Sequence, residues 1–306
     1  MTTQPGILVV GPSEHAFLTY RLKGEEQAEG ALKALAGLLT QEPTTAGTAV
    51  VVGVRPSIWA AHAASEDVPE GVEDFTEPIV GPDGFTMPAT QTDLWAWIQG
   101  GDRSTIFDAT VATTKALAPF ATPVEETIGW AYREHRDLTG FIDGTENPKA
   151  GIAPAVVGVP AGEPGAGSAV LLYQLWAHDV VDWAEQGTKR QEYVMGRTKT
   201  DSIELEPDVM PATSHVSRTT VKVDGEEFQI FRRNVAYGTP SDHGTVFVGF
   251  CAKQWTLAEM LRRMAGVGDG VRDDLTRFTT PLTGEYFVIP ALEALVKLSP
   301  VADDDD

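Results

Sequence analysis

With 306 residues, 42% of them hydrophobic and 22% charged, the chain is long enough for one large domain or two of about 150 residues, and its make-up is that of an ordinary globular protein. A formal net charge of −21 argues against nucleic acid as a partner, because phosphate binding needs clustered Lys and Arg, and no run of roughly 18 apolar residues is present to form a membrane-spanning helix. The single cysteine, Cys251, excludes an intramolecular disulfide; with no basic-then-apolar leader in residues 1–6, it predicts a cytoplasmic protein. Residues 6–10 and 15–22 read as two short strands around a Gly-Pro turn. Ala28, Leu32, Leu35 and Leu39 recur at helical spacing and predict a helix over 27–39. The β-branched run 48–54 predicts a buried strand, and residues 93–98 and 103–120 read as helical. In 127–133, Ile128, Trp130 and Tyr132 alternate with Gly129, Ala131 and Arg133, a strand pattern.

The second half follows the same plan. Residues 150–167, rich in Gly, Pro and Ala, read as loop, then 168–177 as a strand and 180–194 as helix. Residues 227–235 and 245–252 read as strands. Leu257, Met260, Leu261 and Met264 form an i, i+3, i+4, i+7 stripe on a helix ending near 265, most simply a core stripe. The expected fold class is α+β, with antiparallel sheets, helices on one face and two similar halves meeting between about 140 and 165. The terminal run of four aspartates reads as a solvated acidic tail, 301–306.

The stretch Gly140-Phe141-Ile142-Asp143-Gly144-Thr145-Glu146-Asn147-Pro148 is the most informative. Glycines bracket an acid that follows two apolar residues, which describes a tight turn holding one carboxylate in a fixed direction. Turn chemistry alone favours an Asx-type turn in which Asp143 caps backbone N–H groups. An oriented, buried carboxylate is also what proton transfer requires. In the strand 227–235, Arg232 and Asn234 share one face and Arg233 the other, a polar couple able to orient a small oxygen-containing ligand or a pair of solvated side chains on an edge. No two of the six histidines have the i, i+3 or i, i+4 spacing of a metal clasp, although a single histidine suffices when a porphyrin completes the coordination. Gly-x-Ser-x-Gly, Walker and Gly-x-Gly-x-x-Gly patterns are absent.

Taken together, Gly140–Pro148, Gly196-Arg197-Thr198-Lys199, Ser214-His215, Arg232-Arg233-Asn234, Asp273 and the run Thr283-Gly284-Glu285-Tyr286-Phe287-Val288 resemble, in order, the motifs of the dye-decolourising peroxidases, most closely the compact bacterial B-type group. The resemblance covers nearly the whole chain. It implies two ferredoxin-like halves forming a dimeric α+β barrel-like fold, 1–145 and 146–300, the second carrying most of a haem b pocket. It implies a haem-dependent peroxidase that reduces hydrogen peroxide through an oxyferryl intermediate and oxidises dyes, phenolics or other one-electron donors. His215 would be the proximal iron ligand and Asp273 the acceptor of its other ring N–H, with Asp274 as the fallback. Asp143, Arg232 and Asn234 would be the catalytic residues around peroxide. Asn147 and Arg197 would contact haem propionates, and Phe247 would wall the distal pocket. A homo-oligomer is implied as well. The competing readings are a haem-handling or iron-release protein on the same fold and a haem-free small-molecule binding module.

Overall fold

The computed structural model describes residues 1–39 and 47–298; the expected acidic tail lies outside the described residues. In chain order the framework is strand β1 (Glu14–Leu22), helix α1 (Ala28–Leu39), strands β2 (Ala49–Val54) and β3 (Leu94–Gly100), helix α2 (Arg103–Leu117) and strand β4 (Ala121–Trp130). It continues with strand β5 (Ala169–His178), the short helix α3 (His215–Thr219), strands β6 (Phe231–Gly238) and β7 (His243–Cys251), helix α4 (Gln254–Met264) and strand β8 (Glu285–Ile289).

Each half is a four-stranded antiparallel sheet with the ferredoxin-like order, β4-β1-β3-β2 in the first and β8-β5-β7-β6 in the second. The sheets join at two short seams. Ala236 and Tyr237 of β6 pair with Trp130 and Gly129 of β4, and Val288 of β8 pairs with Val54 of β2. The eight strands therefore close into a barrel through these two short seams.

Alternation along the strands divides the side chains between the barrel's interior and its two outer faces. Inside lie Phe17, Trp95, Trp97, Tyr173, Phe250 and Phe287, each fully buried. Burial of side chains this size stabilises by roughly 1.5–3 kcal/mol apiece. Outside the first sheet, Ala16, Leu18 and Tyr20 pack on Leu32 and Leu35 of α1. Outside the second, Val170, Leu172 and Trp176 pack with Leu257, Met260, Leu261 and Met264 of α4, the stripe read from the sequence.

Several local expectations give way to tertiary context. Residues 94–98 lie in strand β3, not in a helix. All seven residues of β3 are buried, and a segment apolar on both faces carries no period to read. The first expected strand, 6–10, is instead a 3-10 turn, Pro5–Leu8. Gln4 stands in for strand pairing there: its side-chain amide donates to the Val52 carbonyl at 3.0 Å and accepts from the Val52 N–H at 2.9 Å. The 150–167 loop contains a short helix, Ala153–Val157, and the 180–194 helix breaks at Gly187 (φ +69°) into Val180–Glu185 and Gly187–Met195. The strand expected over 227–235 begins only at Phe231. A small hairpin precedes it, turned by Asp224 and Gly225, both at positive φ as a tight hairpin turn demands.

One buried carboxylate makes stability depend on pH. Glu285, 2% exposed, accepts hydrogen bonds from the Thr92 N–H (2.9 Å) and the Thr92 hydroxyl, and burial, reinforced by the charge of Glu125, pushes it up to about 7. Between the ordinary value of 4.5 and about 7 the folded chain holds a proton that the unfolded chain has lost. Stability therefore falls as pH rises through that window, by roughly 3 kcal/mol in total, and is flat above it. Glu285→Gln is expected to remove this slope, which urea unfolding of both proteins across the window will measure.

Candidate active site

The outer face of the second sheet and the elements packed on it enclose a cavity of about 820 Å3, its opening to solvent included. Gln174 and Trp176 of β5, Arg232 and Asn234 of β6, and Thr245 and Phe247 of β7 form one wall. His215 and Thr219 of α3, with Met260 and Met264 of α4, form the opposite one, and the turn carrying Phe141, Ile142 and Asp143 closes an end.

His215 opens α3 just after Ser214, whose side chain caps the helix by accepting from the Ser217 N–H. Its Nδ1 lies 2.7 Å from Asp273 Oδ2, and Asp273 is fully buried. The other Asp273 oxygen accepts from the Leu275 N–H at 2.9 Å, so the carboxylate is fixed before it fixes the ring. With Nδ1 committed, Nε2 is the nitrogen left to bind a ligand in the cavity. Asp274 is occupied elsewhere, by Arg190 at 3.1 Å, Arg277 at 3.0 Å and the Thr213 hydroxyl at 3.0 Å. The geometry thus chooses between the two acids.

Across the cavity, Gly140 (φ +86°) and Gly144 (φ +72°) give the turn around Asp143 its left-handed corners, a conformation that suits glycine. Both Asp143 oxygens are engaged by one residue: the Asn234 N–H donates to Oδ2 at 2.9 Å and the Asn234 side-chain amide to Oδ1 at 2.6 Å. Burial pushes the Asp143 carboxyl above its ordinary value, and Asp137 adds to the rise. The positive charge of Arg232 and the Asn234 hydrogen bonds pull the other way without cancelling it. Burial likewise lowers Arg232, opposed by Asp143. Among the described residues no acceptor takes a hydrogen bond from the Arg232 guanidinium, and that group lines the cavity. A charged fork kept without a partner inside a protein is expensive unless something else uses it.

The structure brings Asp143, Arg232, Asn234, His215 and Phe247 onto one cavity, with Asp273 directly behind His215. Phe247 sits opposite Asn234 in the β6–β7 register, on the same face. Asn147 and Arg197 do not line this cavity. Asn147 clamps the backbone of Arg232, accepting from its N–H at 2.9 Å and donating to its carbonyl at 2.8 Å. The buried Arg197 guanidinium is taken up by Glu146, by Glu204 at 3.2 Å and by the Ser202 carbonyl at 2.9 Å. Arg233, on the opposite face as expected, reaches the Val9 carbonyl and lines a second cavity of about 1310 Å3. Asp143, Arg232 and Asn234 border both cavities and form the partition between them.

Two titratable residues on the cavity escaped the sequence reading. Asp137 accepts from the Thr139 N–H and the Thr245 hydroxyl, each at 2.7 Å, and His178 ends β5 beside it. Burial lowers the His178 imidazole, and the charge of Asp137 opposes that fall. Asp137 stands six residues before Asp143 in a charged run, and its only sequence signal is that it shares the turn.

The donor set decides what the cavity suits. No group of three or more His, Cys, Asp or Glu able to hold a metal ion exists among the described residues. One histidine with a free ring nitrogen therefore fits a metal that brings its other ligands along, as in haem. The mostly apolar walls suit a macrocycle, and the unpartnered Arg232 with the oriented Asp143 suits a small polar molecule held above it.

Comparison with known proteins points the same way. Residues 134–294 match the family model described as Dyp-type peroxidase, C-terminal. The chain is 33% identical over 281 residues to a dye-decolorizing peroxidase of Mycolicibacterium paratuberculosis, covering 89% of this chain and 78% of that one. It is also 33% identical to one of Mycobacterium tuberculosis, covering 89% and 83%. Among solved structures, DyPB from Rhodococcus jostii RHA1 superposes with a TM-score of 0.88 at 30% identity, covering 99% of both chains. A variant of that protein in complex with heme gives 0.87 at 30% identity, covering 95% of this chain and 98% of that one.

Proposed function

Because the chain belongs to the Dyp-type peroxidase family and is a haem-dependent peroxidase, we propose that haem b lies between His215 and the Asp143–Arg232–Asn234 wall, with His215 Nε2 as its iron ligand. The observation that carries this reading is the His215–Asp273 pair facing an unpartnered Arg232 and a tethered Asp143 across one cavity. When bound, haem supplies the two-electron reduction of hydrogen peroxide and the one-electron oxidation of a donor such as a dye or phenolic.

The chain's own residues do the rest. Asp273 holds the imidazole in the tautomer with Nδ1–H and strengthens its donor nitrogen. Asp143 takes the proton from one oxygen of peroxide and delivers it to the other, which leaves as water. Arg232 stabilises the negative charge that gathers on the departing oxygen, a role that its uncommitted guanidinium on the cavity wall supports. Asn234 keeps the Asp143 carboxylate aimed, and Phe247 walls the cavity against water. The pairing of Asn147 with the Arg232 backbone supports a positioning role for that residue. For Arg197, Glu146 and Glu204 occupy the guanidinium and support a structural role in place of the expected propionate contact. A haem-handling or purely binding role leaves the tethered base and free arginine without a purpose.

We further propose a cytoplasmic homo-oligomer. The buried Cys251 thiol, pushed up to about 12 by burial, suits a reducing compartment, and no helix among the described residues is long and apolar enough to cross a membrane. Phe107 and Val111, one turn apart on α2 and 66% and 50% exposed, support contact with another copy.

The test of function is rapid mixing of the haem-loaded protein with hydrogen peroxide across pH. Asp143 acts only when ionised, and its carboxyl lies above the ordinary 3.8. The rate of the Soret change is expected to fall as pH drops through that raised value. In Asp143→Asn this acid limb is expected to vanish and the rate to stay low throughout. A variant with the wild-type rate and profile overturns the assignment of Asp143.

A further inference from the structure

The barrel's interior holds an aromatic array that the cavity chemistry does not use. From Tyr173 the ring centroids run 5.9 Å to Trp95, 6.4 Å on to Trp97 and 5.8 Å on to His15 at the rim of the second cavity. Tyr173 is fully buried, and its hydroxyl donates to Glu125 Oε1 at 2.8 Å. The Thr127 hydroxyl donates to the same oxygen at 2.9 Å. Burial raises the Glu125 carboxyl above its ordinary value, with the Tyr173 and Thr127 hydrogen bonds pulling the other way, so it is a more basic acceptor than an exposed carboxylate and sits within reach of the phenolic proton. Among the described residues no other tyrosine hydroxyl meets a carboxylate: Tyr20 pairs with Thr114, and the buried Tyr237 hydroxyl has no partner.

Tyr173 is also close to the haem cavity. Gln174, the next residue in β5, lines that cavity from the outer face while Tyr173 points into the barrel. Their Cα atoms are about 3.8 Å apart, so one thickness of sheet separates the ring from the cavity. Burial, then the charge of Glu125, keeps the phenol protonated in the resting protein. Removing an electron from a protonated phenol in such surroundings leaves a buried cation, unless the proton leaves at the same time.

We propose that Tyr173 is a redox-active residue that yields one electron to peroxide-oxidised haem while its phenolic proton moves to Glu125. The Tyr173 O–H bond breaks and an O–H bond forms on Glu125 Oε1. The haem is reduced by one equivalent, and a neutral tyrosyl radical remains. A donor electron, with the proton returned from Glu125, restores the resting pair. In this arrangement the array stores an oxidising equivalent inside the barrel when no external donor is present.

The proposal rests on the haem-peroxidase reading, and freeze-quench electron paramagnetic resonance tests it. The haem-loaded protein, mixed with one equivalent of hydrogen peroxide without donor, is expected to give a tyrosyl signal that narrows when ring-deuterated tyrosine is incorporated. That signal is expected to be lost in Tyr173→Phe, which keeps the ring and its packing. Its yield should drop several-fold in Glu125→Gln, which accepts the hydrogen bond but not the proton. A wild-type Soret response with no tyrosyl signal, or with a signal unchanged in Tyr173→Phe, overturns this inference alone. Full yield in Glu125→Gln overturns the role of Glu125. Absence of any Soret response in the wild type overturns the peroxidase reading and this inference together.

Discussion

His215→Ala is expected to purify without a Soret band under conditions that load the wild type with haem. The expectation follows from the donor set. His215 Nε2 is the one nitrogen presented to the cavity with its ring already locked, and no metal-binding cluster among the described residues can replace it. The variant also leaves the fully buried Asp273 facing an empty space, which costs about 1–3 kcal/mol or more for a charged group. A fold control is therefore part of the experiment. His215→Gln offers an amide to Asp273 and should restore stability without restoring the band, and added imidazole should return haem binding to His215→Ala. An unchanged ferric spectrum in His215→Ala overturns the axial assignment.

The second large effect is expected at Arg232. Arg232→Ala should bind haem normally and react with hydrogen peroxide about 10²–10³-fold more slowly, the usual cost of removing one preorganised donor to a developing oxyanion. Arg232→Lys should recover only part of the rate, because a point charge does not reproduce the guanidinium fork. A further consequence separates this role from simple damage. The charge of Arg232 is the largest influence holding the Asp143 carboxyl down against burial. Without it the Asp143 value rises further, so the acid limb of the rate profile should move to higher pH. Stopped-flow rates across pH read both effects. A wild-type rate in Arg232→Ala would remove Arg232 from the mechanism.

Much of the site was legible in the sequence, for reasons that differ by residue. The direction of Arg232 and Asn234 against Arg233 follows from strand alternation alone, and the glycines around Asp143 announced a constrained turn. Membership of the site did not follow from either. Turn chemistry favoured a bland reading of Asp143 until the spaced motifs were taken together. The choice of Asp273 over Asp274 was invisible from the residues because the two acids are adjacent, one capping a 3-10 turn and the other opening it, and only the surrounding partners distinguish them. Asp137 and His178 carried no pattern because their partners, Thr245 and each other, come from distant strands. In the fold, β3 was misread because burial on both faces erases periodicity, and Gln4 gave no hint that its side chain would pair with a strand.

The tether between the turn and β6 has one more consequence. β6 pairs with β4 only at Ala236 and Tyr237, so the backbone groups of Arg232 and Asn234 face a missing neighbour on that edge. Asn147 and Asp143 supply what the neighbour would have given: an acceptor for the Arg232 N–H, a donor for its carbonyl and an acceptor for the Asn234 N–H. The Gly140–Pro148 segment is thus a surrogate strand built from side chains, and the acid we propose as proton carrier is at the same time a rung of a ladder. Activity lost in Asp143→Ala accordingly mixes two defects, an absent base and an orphaned main-chain amide that lets Asn234 and Arg232 drift. Asp143→Asn, which keeps the rung and removes the base, is the substitution that separates chemistry from scaffolding.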